Sequence, residues 1–305
     1  MRRHIIITGS NGLLGQKLIN LLVDRPYMRL VATSRGVNRH PVRDGYVYHS
    51  LDLEDELGWR DLFETVRPTE LIHTAAMTQV DVCETETLRC DAVNVHAVAN
   101  LIDLCRDFGT RLIYISSDFV FDGKNGPYRE EDPAAPVNHY GLSKLRAEQL
   151  ISQSGINACI LRTVLLYGVT PAMSRGNLVL WTLKNLQAGK SIRVAQDQFR
   201  CPTLAEDLAA ATISAVMRNA SGLYHICGPE MYAVVDIARE VAAHWDLDPA
   251  LITPVKTAAL KERAKRPPKT GFVILRAQTQ LAFRPHNLRQ GLEIVERQIE
   301  ESWSD

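Results

Sequence analysis

The spacing of apolar positions divides the chain into two halves. In the first, short runs rich in β-branched and aliphatic residues at 4–8, 29–33, 46–49, 70–73, 111–115 and 158–161 have the length and composition of strands. Between them, residues 13–23, 55–66, 88–107 and 140–152 carry apolar side chains at helical spacing. Strand–helix–strand repetition of this kind predicts an α/β fold: a doubly wound parallel sheet covered by helices on both faces. After about Gly168 the rhythm breaks. A polar loop over 170–177 precedes a helical run at 178–186 and a short strand at 192–194. A helix follows at 205–217 and an apolar strand at 223–226. Residues 256–269 are basic and contain prolines. The pattern divides the chain into a nucleotide-binding unit, 1–168, and residues 169–305. The latter form mainly a smaller lobe, interleaved with the last strands and helices of the first unit.

Composition narrows the class without choosing a function. A chain of 305 residues that is 46% hydrophobic and 23% charged can bury a large core. Lysine plus arginine equal aspartate plus glutamate at 35 each, which argues against a nucleic-acid-coating surface. No stretch is apolar for long enough to span a bilayer, and the apolar run after Arg3 is too short for a signal peptide. The six cysteines (Cys83, Cys90, Cys105, Cys159, Cys201 and Cys227) form no C-x-x-C pair and sit in apolar segments. They read as reduced core thiols, so neither a disulfide framework nor a metal site is expected. A cytoplasmic protein without membrane or nucleic-acid partners is the expectation.

Candidate chemistry begins where the first strand ends. Gly9-Ser10-Asn11-Gly12-Leu13-Leu14-Gly15 is a G-x-x-G-x-x-G turn between a strand and a helix. Glycines let the backbone approach a pyrophosphate, and the helix N-terminus offers it free N–H groups. An acidic residue after the second strand would hold the ribose 2′-OH of NAD. Here Ser34 and Arg35 stand there, with no acid between Leu30 and Arg43. Arg35 offers a charged fork to a 2′-phosphate, which favours NADP(H), with NAD(H) as the alternative. Asp52 and Leu53 are candidates for the adenine, and Ala75, Ala76 and Met77 for the passage of the ribose.

Tyr140 and Lys144 lie four apart on a predicted helix and share a face. A carbonyl reductase must protonate oxygen as hydride reaches carbon, and an ammonium beside a phenol makes it a usable acid. Ser117, at the end of the fifth strand, can hydrogen-bond the substrate oxygen. His73 reads as a satisfied structural histidine. Asp81, Glu84 and Glu86 read as a solvated helix start, and Trp181 and Trp245 as core or inter-lobe residues. The basic 256–269 segment is either an exposed loop or a grip for a substrate pyrophosphate.

These residues resemble the extended short-chain dehydrogenase/reductase superfamily, and within it the dTDP-4-dehydrorhamnose reductase family. The blocks that carry the likeness are residues 75–84 (AAMTQVDVCE), Val93-Asn94, residues 116–123 (SSDFVFDG), Tyr128-Arg129-Glu130, residues 140–144, residues 197–203 (DQFRCPT) and Arg266-Pro267. The resemblance implies a Rossmann-type sheet with a smaller C-terminal substrate-binding lobe. It implies NAD(P)H-dependent reduction of the 4-keto group of a nucleotide-linked 6-deoxysugar, dTDP-4-dehydrorhamnose to dTDP-rhamnose. Ser117 would be the hydroxyl partner, Tyr140 the proton donor and Lys144 its activator. Arg162 would join the cofactor residues, while Gln79, Asp118, Phe119, Asn177 and Gln198 would join Ser117 at the substrate. A homodimer is allowed. Two departures bear on the sugar: Leu165 stands where a tryptophan is usual, and Arg200-Cys201 replaces a smaller pair. Two rival readings are a regulatory subunit resembling the β subunit of methionine adenosyltransferase and a nucleotide-sugar epimerase.

Overall fold

The computed structural model describes residues 3–173 and 176–303, so the loop expected at 170–177 is described only in part. The first half runs β1 (Arg3–Thr8), α1 (Leu13–Leu22), β2 (Met28–Ser34), β3 (Tyr46–Ser50), α2 (Glu56–Val66) and β4 (Glu70–His73). It continues α3 (Val80–Thr85), α4 (Thr87–Asp91), α5 (Ala97–Phe108), β5 (Arg111–Ser117), α6 (His139–Gln153) and β6 (Ala158–Thr163). The second half holds β7 (Leu166–Tyr167), α7 (Leu178–Gln187), β8 (Ile192–Ala195), β9 (Phe199–Arg200), β10 (Thr203–Leu204), α8 (Ala205–Met217) and β11 (Gly222–Ile226). It ends with β12 (Tyr232–Ala233), α9 (Val234–His244), β13 (Ile252–Val255), β14 (Lys269–Thr270), α10 (Leu275–Gln280) and α11 (Leu288–Trp303).

Seven strands form one parallel sheet in the order β11-β6-β5-β4-β1-β2-β3. Both faces are covered, and β1 shows how. Ile5 and Ile7 point into a cluster with Leu14, Leu18, Leu208 and Ala209, from α1 and α8. Ile6 points into the opposite cluster with Phe63, Leu101 and Ile151, from α2, α5 and α6. Alternation places successive side chains on opposite faces, so a strand buried on both must be apolar throughout. Truncating any of these isoleucines to alanine would cost about 2–5 kcal/mol.

The helix expected at 88–107 runs without a gap from α4 into α5, through a π-turn. That π-turn, Ala92–His96, turns the Asn94 side chain inward. Beyond β6, α7, α9 and α11 share a cluster around Tyr167, Leu183, Ile237 and Leu292, and the parallel pair β8–β13 packs with α9. Two elements of this half return to the main sheet: β11 pairs with β6, and α8 lies against α1. Among the described residues no helix is long and apolar enough to cross a membrane.

Candidate active site

Strand order reverses between β1 and β4, and open α/β sheets bind ligands outside the C-terminal ends of strands at such a point. A cleft of about 720 Å³ opens there, with the glycine turn at one end and Ser117, Tyr140 and Lys144 at the other.

At the first end Gly9 has φ +68°, and a Cβ on it would lie 2.8 Å from the Ala75 nitrogen. A Cβ on Gly15 would fall onto the Gly9 carbonyl oxygen. Glycine is required at both. No side chain caps α1, so its first-turn N–H groups, at the cleft wall, are left for an anion. This cradle fits a dinucleotide pyrophosphate. Asn11, Gly12, Leu13 and Leu14 line it, as do Ser34, Arg35, Asp52, Leu53, Ala75 and Ala76. The Arg35 guanidinium lies 3.7 Å from the Asp52 carboxylate, and both are largely exposed. Ser10, expected at the cofactor, does not line the cleft: its hydroxyl is buried without a hydrogen-bond partner and its N–H donates to the Thr33 carbonyl. Met77 turns away and packs with Cys83, Cys90 and Tyr140.

At the other end Asn138 caps α6 by accepting the Gly141 N–H at 2.8 Å. Tyr140 and Lys144 then project side by side from the first turns of the helix. A Cβ on Gly141 would fall onto the Phe119 carbonyl oxygen, so glycine there lets the helix sit against the turn after β5. The Phe119 ring meets Tyr140 edge-on at 5.7 Å. Burial pushes the Tyr140 phenol above its ordinary value, partly offset by a hydrogen bond with Ser117. The phenol is therefore protonated at neutral pH and can act as a donor. Lys144 Nζ donates to the Ile115 carbonyl at 2.8 Å and lies 4.1 Å over the Tyr114 ring. Burial holds its ammonium down at about 7, against the pull of Glu148.

Buried hydrogen bonds of Asn94, Thr8 and His73 brace this geometry. Asn94 donates its amide to the Met77 carbonyl at 3.0 Å and to Ser143 Oγ at 3.0 Å, and accepts the Met77 N–H at 2.8 Å. It thereby ties the end of β4 to α6. Such π-turns gather at functional sites, and the Val93-Asn94 block carried the only sequence signal for it. Thr8 Oγ1 accepts the N–H groups of Thr74 and Ala75, so its proton goes to His73 Nδ1 at 2.9 Å. His73 is then the neutral tautomer with hydrogen on Nε2. Burial and Lys144 hold it down at about 3, and it stacks on Tyr114.

Several expected contacts are corrected. Arg162 does not reach the cleft. It is buried in a bidentate pair with Glu148, Nε to Oε1 at 2.9 Å and a terminal nitrogen to Oε2 at 2.6 Å. Gln198 is likewise enclosed, donating to Thr257 Oγ1 at 3.1 Å and accepting from Arg200 at 3.3 Å. The Asp118 carboxylate bonds Thr270, accepts from Ser117 at 3.1 Å and lies 3.8 Å from the buried Arg200. Internal partners thus occupy it, although the residue lines the cleft beside Phe119. Asn177 lines the cleft while its amide caps α7, bonding the Gly168 carbonyl at 2.7 Å and the Leu180 N–H at 3.1 Å. Gln79 is exposed at the rim, between Thr78 and Val80. Asp81 stands in the first turn of α3 as expected, but it is also bonded: it accepts the Arg263 and Ala264 N–H groups and pairs with Arg266 at 3.0 Å, clasping the basic segment. Trp181 is 42% exposed, whereas Trp245 packs into the cluster of α7, α9 and α11. Leu165 lines the cleft at φ +37°, its carbonyl held by the Thr203 N–H. Sequence reading missed Arg39 and Trp59, which also line the cleft. All six cysteines are free and buried, and no group of potential metal ligands occurs among the described residues.

Comparison with known proteins agrees with this architecture. The RmlD substrate binding domain family matches residues 2–300. The chain is 30% identical to dTDP-4-keto-6-deoxy-D-glucose reductase of Streptomyces niveus, over 86% of this chain and 85% of that protein. It is 30% identical to methionine adenosyltransferase 2 subunit beta of Xenopus laevis, over 83% of this chain and 75% of that protein. The crystal structure of dTDP-4-dehydrorhamnose reductase from Bacillus anthracis in complex with NADP superposes with a TM-score of 0.83 at 25% identity, covering 98% of this chain and 100% of that one. The chain belongs to the RmlD substrate-binding domain family, among the NAD(P)-dependent oxidoreductases.

Proposed function

We propose that this chain reduces the 4-keto group of a nucleotide-linked 6-deoxysugar with NADPH, with dTDP-4-dehydrorhamnose as substrate and dTDP-rhamnose as product. Residues 1–168 hold the cofactor, and residues 169–305 supply most of the sugar-nucleotide side. The observation that carries this reading is the convergence of Ser117, Tyr140 and Lys144 on a cleft whose far end is an uncapped, glycine-built helix start. A reduced nicotinamide bound there would supply the hydride.

The remaining steps belong to the chain's own residues. Tyr140 hydrogen-bonds the keto oxygen and gives it the phenolic proton as charge develops, and Ser117 joins it by turning its hydroxyl proton from Asp118 to that oxygen. Lys144, in its ammonium form, stabilises the phenolate that remains and bonds the nicotinamide ribose. Phe119 and Leu165 shape the sugar side of the cleft.

The test is NADPH oxidation, with NADH in parallel, on adding dTDP-4-dehydro-L-rhamnose. Oxidation that vanishes in Tyr140→Phe is the expected result. Tight NADPH binding without turnover on any keto-sugar nucleotide would refute the reading and favour a role like that of the methionine adenosyltransferase subunit.

A further inference from the structure

Charge around the glycine turn is unevenly matched. Arg35, Arg39 and Arg43 follow β2, and Asp52 faces Arg35 at 3.7 Å. Arg43 gives its guanidinium to the Asn38 carbonyl at 2.8 Å. Arg39 differs from both. It lines the cleft half-buried, and among the described residues its side chain has neither a hydrogen bond nor an ion pair. A guanidinium carries five N–H donors, and among the described residues none of those of Arg39 is committed to a protein group.

The backbone that carries Arg39 is fastened on both sides. Asn11, within the glycine turn, accepts the Arg39 N–H at 2.8 Å and donates to the Val37 carbonyl at 2.8 Å. Tyr48 donates its hydroxyl to the Gly36 carbonyl at 2.7 Å. On the other side the buried His40 ring bonds Asn20 of α1, Nε2 to Oδ1 at 2.7 Å. The segment is thus stitched to the start of the helix that would receive the pyrophosphate. The end of the second strand is where such folds meet the adenosine ribose.

We propose that Arg39 is the principal reader of the 2′-phosphate of NADP(H), with Arg35 a weaker outer cation. The inference rests on the dinucleotide reading above. The Arg35 side chain is 66% exposed, so its attraction is screened, and it must first leave Asp52. Arg39 has no acid to leave and less water to shed, so a phosphate gains more there.

The experiment titrates the full chain with NADPH, NADH, 2′,5′-ADP and 5′-AMP by calorimetry, beside Arg39→Ala, Arg39→Lys and Arg35→Ala. Arg39→Ala is expected to weaken NADPH and 2′,5′-ADP by roughly tenfold to a hundredfold, leaving NADH and 5′-AMP within about twofold. Arg35→Ala is expected to weaken NADPH by less than about fivefold. Arg39→Lys should fall between wild type and Arg39→Ala, because an ammonium cannot fork. Asn11 holds the Arg39 backbone rather than its side chain, so the loop survives these substitutions, and melting temperatures check that it does. An unchanged NADPH-to-NADH ratio in Arg39→Ala, or a larger effect from Arg35→Ala, overturns the proposal, as does a wild type that binds NADPH and NADH equally. A wild type that binds none of the four ligands overturns the dinucleotide reading itself.

Discussion

Replacing Arg162 by methionine separates a structural ion pair from a cofactor contact. The guanidinium and the Glu148 carboxylate are each about 6% exposed and bonded through both oxygens. A third nitrogen of Arg162 faces His225 Nε2 at 3.4 Å, while His225 Nδ1 gives its hydrogen to the Tyr128 carbonyl. Methionine fills much of the same volume but leaves the carboxylate buried and unpaired, at a cost of about 3–5 kcal/mol. With an unfolding entropy of about 2.1 cal/mol/K per residue over 305 residues, the melting temperature should fall by about 5–8 °C. The double variant Arg162→Met/Glu148→Leu removes both charges and should recover most of that loss. Scanning calorimetry with and without NADPH reads both quantities. The stabilisation that NADPH brings should be the same in all three proteins, because the guanidinium lies outside the cleft. An Arg162→Met protein that melts like wild type yet gains nothing from NADPH would refute this account and return Arg162 to the cofactor.

Tyr140→Phe should lower turnover by about 10²–10⁴-fold with little change in NADPH affinity, measured by fluorescence titration; unchanged turnover would move the proton to another group. Gly15→Ala, whose methyl would fall onto the Gly9 carbonyl, should remove most dinucleotide binding and lower the melting temperature, and a variant that binds normally would contradict the cradle described here. Lys144 gives two pH predictions. Its folded value of about 7 lies below the ordinary 10.5, so between these values the folded chain binds fewer protons than the unfolded one. Its burial penalty is therefore full below pH 7 and relieved as pH rises toward 10.5, a contribution that Lys144→Met should delete from the pH profile of unfolding free energy. Ribose oxygens of a bound NADPH would favour the ammonium, so at pH 8 NADPH should bind with uptake of about one proton. Calorimetry in buffers of different ionisation enthalpy measures this, and no uptake would mean that Lys144 is already charged in the free protein.

The sheet was legible because strands buried on both faces are short apolar runs bounded by turns. Residues 70–73 match β4 at both ends, and most other boundaries move by one or two positions. The π-turn between α4 and α5 was not legible. Apolar spacing runs through it undisturbed, and the partners of the Asn94 amide, Met77 and Ser143, lie outside the helix. The glycine turn and the Tyr140/Lys144 pair stood out because local spacing alone places their atoms. Arg162 and Gln198 were misread for the opposite reason: a polar residue looks the same in sequence whether it faces a ligand or Glu148 and Thr257. Asp81 was read as solvated because its partners, residues 263–266, lie in the other half of the chain. A run of arginines at 35, 39 and 43 was the available signal for Arg39, passed over in favour of the residue nearest the strand.

Asn138 holds α6 by one end of its amide and the Lys265 carbonyl by the other, at 2.8 Å each. Asp81, Arg200 and Asp118 fasten the same segment through residues 263–264, 266, 267 and 270. This makes the loop and the helix that carries Tyr140 one mechanical unit, which limits how the molecule can change over evolutionary time. A substitution that reshapes residues 263–270 also moves the start of α6, so a new substrate gained there is gained at the expense of the chemistry. Leu165 shares none of these bonds. Drift in sugar preference has an open route on that wall of the cleft and a closed one opposite.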